Sequence, residues 1–118
     1  MAQELSPLYR DLDGSPSDLA KLIVLITELR DFSFKKLHEL VRKASRRGFF
    51  NTLFSTSDIM ITPTQSGRLN YYLKVLEAKG LIKRTSATYS ITDRCEEEAK
   101  RIEKAFNDHQ RLFNALKG

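Results

Sequence analysis

The chain has 118 residues, of which 41% are hydrophobic and 30% are charged, and its net charge is +5. This length fits one domain with a modest core, and this balance excludes a disordered chain. The longest apolar stretch, residues 22–26, is far shorter than the roughly 18 residues that a membrane span needs. Charged residues also interrupt any signal-peptide pattern, so we expect a cytoplasmic protein without membrane contact.

Catalytic and metal-binding patterns are missing from the sequence. Cys95 is the only cysteine, which excludes an internal disulfide and a multi-cysteine zinc site within one chain. The sequence contains neither a Gly-rich phosphate loop nor a cluster of histidines and carboxylates, and His38 stands far from His109. We therefore expect a protein that is not an enzyme and that carries no metal or other cofactor.

The positive charge is concentrated in the middle of the chain. Residues 1–31 contain three basic and six acidic residues, whereas residues 35–47 contain six basic residues and one acidic residue. Residues 63–88 add five basic residues against one acidic residue, and residues 93–118 are balanced. This asymmetry is typical of a nucleic-acid-binding protein, although a solvated surface has the same composition.

The first predicted elements are a short arm and an apolar helix. Residues 1–16 are predicted to form an N-terminal arm or a short helix, with Ser6 as its cap and Pro7 as its first helical residue. Ser15 is predicted to cap a second helix, with Asp18 at its third position. The following residues are apolar nearly all round that helix, which therefore should occupy the centre of the core.

A basic helix and an irregular stretch come next. The third helix is predicted to begin after Ser33 and to end before Gly48, with an apolar stripe along one face. Its basic residues crowd the last turn, where the helix dipole also favours cations. Residues 49–61 contain several aromatic residues without a clear period, and a short helix followed by a strand is one interpretation of them.

Residues 63–79 are predicted to form a two-faced helix. A capping box with Pro63 starts it and Gly80 ends it. One face carries three leucines at helical spacing, and the opposite face is polar, basic and aromatic. The residues on and beside this opposite face are Thr64, Gly67, Arg68, Asn70, Tyr71 and Lys74.

A hairpin and a long helix complete the chain. Residues 81–85 and 88–91 are two β-prone segments separated by two residues, a spacing that predicts a hairpin. Thr92 is predicted to cap a helix over residues 93–118. Apolar residues recur in it at spacings of four and three, as in a coiled-coil seam: Cys95, Ala99, Ile102, Phe106, His109, Phe113 and Leu116. About 36 Å of such a seam exceeds what a small domain covers, which favours a homodimer.

The order of these elements is that of a winged helix-turn-helix, in which one helix enters the DNA major groove and a hairpin lies beside it. The stretch TPTQSGRLNYYLKVLEAKGLIKR, followed by YSIT, resembles the recognition helix and wing of ArsR, MarR and PadR-type transcriptional regulators. The resemblance is close over residues 62–92 and loose from residue 19 onward. It implies a mainly α fold with a small β-hairpin, a DNA-binding domain over residues 17–92 and a dimerisation helix over residues 93–118.

The resemblance also implies which residues contact double-stranded DNA. Base-reading positions fall on Gln65, Ser66, Arg68 and Tyr71, and wing contacts fall on Lys83, Arg84, Thr85 and Ser86. Arg68 is the best candidate for a base contact, because a guanidinium group pairs bidentately with guanine. Lys74, Arg84 and a basic cluster of Lys43, Arg46 and Arg47 suit phosphates.

Several alternatives stay open at this point. Gln65 is equally well explained by the capping box alone. His109 in the seam is either a packed polar residue that fixes register or a pH-sensitive or metal-binding group, and Cys95 is either inert packing or an oxidant sensor. An architectural protein that coats DNA with little sequence preference and a winged-helix module that binds another protein are the rival functions. The sequence does not identify a small-molecule effector.

Overall fold

The computed structural model describes residues 5–50 and 67–117. Within these ranges the chain is mainly helical, with a three-stranded antiparallel sheet in the order β1-β3-β2. The helices are α1 (Asp18–Leu29), α2 (Phe34–Arg46), α3 (Gly67–Ala78), α4 (Asp93–Ala105) and α5 (Gln110–Lys117). The strands are β1 (Asp31–Ser33), β2 (Ile82–Thr85) and β3 (Thr88–Ile91), and two short 3-10 helices span Pro7–Tyr9 and Asn107–His109.

Helix α1 lies at the centre of the core, as its all-round apolar sequence predicts. Its residues from Leu19 to Ile26 are all buried, and α1 contacts the first 3-10 helix, β1, α4 and α5. Since it is surrounded on several sides, it has no solvent-facing stripe over these residues. Burying one large aliphatic side chain stabilises a fold by about 1.5–3 kcal/mol, so this helix accounts for much of the driving force for folding.

The predicted start of α1 is wrong by two residues. Ser17, not Ser15, is the N-cap, and its Oγ accepts a hydrogen bond from the backbone N–H of Ala20 at 3.3 Å. Ser15 is used in the preceding turn, where its N–H and its hydroxyl donate to Asp13 Oδ1 at 3.0 and 2.6 Å. A serine that closes such a turn is not available to cap the helix that follows.

The predicted hairpin is confirmed, and a third strand joins it. β2 pairs with β3 from Ile82 opposite Ile91 to Thr85 opposite Thr88. β1 pairs with the other edge of β3, where the Phe32 ring stacks on the Tyr89 ring at 5.4 Å between centroids. The sequence does not reveal β1, because three residues are too few to show a strand period. Ser33 then caps α2 as predicted, accepting from the N–H of Lys36 at 3.2 Å.

The prediction of one uninterrupted C-terminal helix is wrong. α4 ends at Ala105, Phe106 adopts φ −114° and ψ 43°, and α5 begins at Gln110 after a 3-10 turn. Thr92 precedes α4 but makes no capping hydrogen bond there, since its hydroxyl donates to the carbonyl of Gly80 at 2.7 Å. The break allows both α4 and α5 to pack on α1.

The proposed dimer seam therefore needs correction. Six of its seven side chains are at most 8% exposed and belong to the same buried cluster as α1: Cys95, Ala99, Ile102, Phe106, Phe113 and Leu116. His109 is half-buried, with its ring edge-on to Phe106 at 6.0 Å between centroids. Burial within one chain explains the heptad spacing without a second copy, because α4 and α5 share a core with α1.

The N-terminal arm is docked on α4 through Tyr9. The 3-10 helix begins after Ser6 as predicted, but Leu8 and Leu12 are exposed whereas Tyr9 is buried. The Tyr9 hydroxyl donates to Glu98 Oε2 at 2.7 Å, and burial, together with this carboxylate, raises the pKa of Tyr9. The Arg10 guanidinium lies 4.6 Å from the centre of the Phe106 ring, which adds a cation–π contact between the arm and the residue that follows α4.

Candidate nucleic-acid interface

Helix α3 has the two faces that the sequence predicts. Leu69, Leu73 and Leu76 are buried, whereas Tyr71 is 64% exposed and Lys74 is exposed. Tyr72 is half-buried and packs against the core. The exposed face therefore offers an aromatic ring and an ammonium group, a combination that suits bases and phosphates better than an apolar partner.

Some of the residues predicted to read bases lie outside the described part of the structure. Thr64, Gln65 and Ser66 lie outside the described residues. Gly67 and Arg68 belong to α3, but their side chains are outside the described part of the structure. Asn70 is half-buried on the flank of the helix. The base-reading role of Arg68 therefore stays a prediction from sequence.

The junction between α3 and the hairpin fixes where the hairpin begins. Gly80 has φ +75°, and the N–H of Leu81 donates to the carbonyl of Leu76 at 3.0 Å, which forms a Schellman-type end. Leu81 is buried, and its carbonyl accepts from the N–H of Thr92 at 2.9 Å. The hairpin is thus tied to the end of α3 at one side and to the start of α4 at the other.

The hairpin tip is polar and cationic. Lys83, Thr85 and Ser86 are exposed, as a wing that contacts DNA requires. Arg84 is exposed too, but it is held in place: its Nε donates to the carbonyl of Ser86 at 3.3 Å, and its guanidinium lies 5.7 Å from the centre of the Tyr89 ring. A side chain that is ordered in advance loses less conformational entropy when it binds a phosphate.

Two substitutions, one at the end of α3 and one at the hairpin tip, test the left-handed backbone with opposite signs. Gly80→Ala places an L side chain at φ +75°, and we expect it to lower the free energy of unfolding by about 1–2 kcal/mol. Ser86 already adopts φ 57°, so Ser86→Gly should raise that free energy by up to about 1 kcal/mol. Urea denaturation followed by circular dichroism measures both. No loss of stability in Gly80→Ala would contradict the left-handed backbone at Gly80. A loss of stability in Ser86→Gly would contradict it at Ser86.

The basic cluster of Lys43, Arg46 and Arg47 lies at the C-terminal end of α2. All three side chains are exposed, and none forms an ion pair with a residue in the described ranges. Three exposed cations within about one turn and a half attract phosphates electrostatically, and the helix C-terminus tolerates them well. The arrangement provides charge but no fixed donor geometry for reading a base.

The cysteine and the histidines do not contribute to this surface. Cys95 is fully buried, its Sγ lies 3.2 Å from Thr27 Oγ1, and burial raises the pKa of its thiol. A buried thiol with a raised pKa is a poor target for oxidants, which favours the inert interpretation. His38 is also buried, and desolvation lowers its pKa. Among the described residues there is no group of three or more metal-ligating side chains.

Comparisons with known proteins leave the family open. No family model, no curated protein and no solved structure matches this chain. The similarity to winged helix-turn-helix regulators therefore stays a prediction from sequence. No helix in the described ranges is both long enough and apolar enough to cross a lipid bilayer.

The surface also has a groove that the sequence does not predict. A groove runs beside the last turns of α2, and its walls come from α1, α2, Phe49 and α5. No periodic pattern reveals it, because its lining residues are widely separated in sequence and meet only after α5 has folded onto α1.

Proposed function

We propose that this chain binds double-stranded DNA as a winged helix-turn-helix and regulates transcription. In this proposal α3 enters the major groove and the β2–β3 hairpin contacts the adjacent backbone or minor groove. The observation that carries the proposal is the exposed face of α3, with Tyr71 and Lys74 opposite a buried leucine face, followed directly by a cationic hairpin. The element order and the β1-β3-β2 sheet support it.

The side chains take different roles in this proposal. Tyr71 and Arg68 contact bases, Arg68 through guanine O6 and N7. Lys74, Lys83 and Arg84 contact phosphates near the recognition helix, while the basic cluster of Lys43, Arg46 and Arg47 contacts phosphates elsewhere on the duplex. Phosphate contacts set the position of the protein, and base contacts set its sequence preference.

An architectural role is the second candidate. The six cations assigned to phosphates in this proposal are exposed and have no fixed base-reading geometry, and such groups bind phosphates of any sequence. The two candidates differ in one measurable quantity, the ratio of affinities for a selected site and for random DNA. A regulator has a ratio of about a thousand or more, whereas a coating protein has a ratio near one.

A homodimer remains part of the proposal, but no interface is assigned to it. The residues of the predicted seam are in the core of a single chain, so a second copy would use another surface. A symmetric pair would present two copies of α3 about 34 Å apart, in successive major grooves of a palindromic site. Sedimentation with and without a duplex measures the stoichiometry.

Titration of a fluorescent random-sequence duplex at several salt concentrations tests DNA binding. We expect the logarithm of the affinity to fall steeply with the logarithm of salt, by about 0.9 for each phosphate that is contacted. The double variant Lys83→Gln/Arg84→Gln should reduce that slope by up to about 1.8.

The matched control removes the same charge from another surface. Lys100 and Lys104 are exposed on α4, and Lys100→Gln/Lys104→Gln should leave the slope close to that of the native chain. Equal losses in both double variants would mean that only net charge matters. No binding to any duplex at low salt would refute the DNA proposal and favour a protein-binding module.

A further inference from the structure

The groove beside α2 has the size and lining of a small-ligand site. It has a volume of about 170 Å³ and is bordered by Leu25 of α1, by Leu40 and Ala44 of α2, by Phe49, and by Ala115 and Leu116 of α5. An apolar cavity of about 150 Å³ is large enough to admit benzene. The groove can therefore hold one ring or a short alkyl chain against carbon side chains.

The charges that border this groove all have the same sign. Lys43, in the last turn of α2, and Arg47, directly after this helix, complete its lining, and no lining residue is acidic. Both side chains are exposed, and neither has an ion-pair partner among the residues that the structure describes. An apolar wall with two cations at its edge is complementary to a molecule with an apolar body and one anionic end.

We propose that this groove binds an amphipathic monocarboxylate. The carboxylate accepts hydrogen bonds from Lys43 and Arg47, and the apolar body lies on Leu25, Phe49 and Leu116. The same two cations belong to the basic cluster that the proposed function assigns to phosphates. The next step rests on the proposed function: the ligand and the duplex compete for Lys43 and Arg47, so the ligand weakens DNA binding.

Isothermal titration with sodium octanoate, in the absence of DNA, tests the site itself. Octan-1-ol and octylammonium chloride share the alkyl chain and differ in charge. We expect saturable binding of octanoate with a stoichiometry of one per chain, and affinities about tenfold or more lower for the other two probes. Equal binding of all three probes would overturn the role of the cations, and the absence of saturable octanoate binding would overturn the site.

Three variants test whether octanoate binds in this groove. Arg47→Gln should weaken octanoate binding about tenfold, because one charge-assisted contact is lost. Ala115→Trp should abolish it by filling the groove from α5. Asn114→Trp adds the same side chain at the neighbouring exposed position, which does not line the groove, and should leave binding unchanged. Circular dichroism checks that each variant is folded, and equal effects of the two tryptophans would overturn the location.

Adding octanoate to a preformed complex with DNA tests the competition separately. We expect the apparent Kd for the duplex to rise with octanoate in the native chain and to stay constant in Ala115→Trp. Octanoate binding without any effect on the DNA affinity would overturn the competition alone. Binding of octanoate without binding of a duplex would refute the proposed function and leave the ligand site supported. Binding of a duplex without binding of octanoate would refute the ligand site and leave the proposed function supported.

Discussion

Replacing Phe113 by alanine is expected to lower the free energy of unfolding by about 3–5 kcal/mol. The Phe113 side chain is fully buried, and its ring lies 6.4 Å from the Phe106 ring between centroids, at an angle of 50°. The substitution leaves a cavity between α5 and the rest of the core. Since small domains are stable by only about 5–15 kcal/mol, this one change removes a large share of the total stability.

Denaturation at several protein concentrations decides what Phe113 packs against. If α5 packs on its own chain, Phe113→Ala lowers the midpoint by about the same amount at every protein concentration, whichever surface a dimer uses. If the C-terminal seam instead paired two copies, Phe113→Ala would also reduce the rise of the midpoint with protein concentration. Asn114, the residue after Phe113, is exposed and provides the control. Asn114→Ala should change the free energy of unfolding by less than about 0.5 kcal/mol.

The parts of the fold that could be predicted are those encoded by local patterns. Helix α1 follows from an apolar run, α3 from two faces with different residues, and the hairpin from two β-prone segments with a two-residue connection. In each case the signal lies within about one element of sequence, where periodicity and turn chemistry are informative.

The break at Phe106 could not be predicted in this way. The heptad spacing continues through it, and no glycine or proline marks it. The break is accompanied by contacts that a heptad pattern does not encode: α5 packs on α1, Gln110 Nε2 donates to the carbonyl of Glu103 at 3.0 Å, and Lys117 forms an ion pair with Glu103. A seam pattern specifies which side chains are buried but not whether their partner is another chain or another helix of the same chain.

The candidate site also has some features that a local sequence pattern predicts and some that it does not. The exposed face of α3 and the cationic hairpin follow from local pattern, and the exposure of Tyr71, Lys74 and Lys83 agrees with it. The docking of the arm through Tyr9 and the groove beside α2 depend on residues far apart in sequence, and neither has a local signal. Features of the second kind need three-dimensional structure to be found.

The largest expected loss of function comes from removing the basic cluster at the end of α2. In the triple variant Lys43→Gln/Arg46→Gln/Arg47→Gln, up to three phosphate contacts are lost, and the salt slope should fall by about 2.7. At 0.1 M salt this corresponds to about 500-fold weaker binding to random-sequence DNA. Fluorescence anisotropy at 0.05–0.2 M salt, with a duplex of fixed length, measures both quantities.

A charge-matched variant makes this result specific to the cluster. Lys100, Lys104 and Arg111 are exposed on α4 and α5, and replacing all three by glutamine lowers the net charge equally. If the slope falls only in the cluster variant, the end of α2 lies on the duplex; if both variants lose the same slope, the positive charge acts from a distance. Because the cluster contacts phosphates alone in this proposal, its removal should weaken a selected site and random DNA by the same factor, whereas Arg68→Ala should weaken only the selected site.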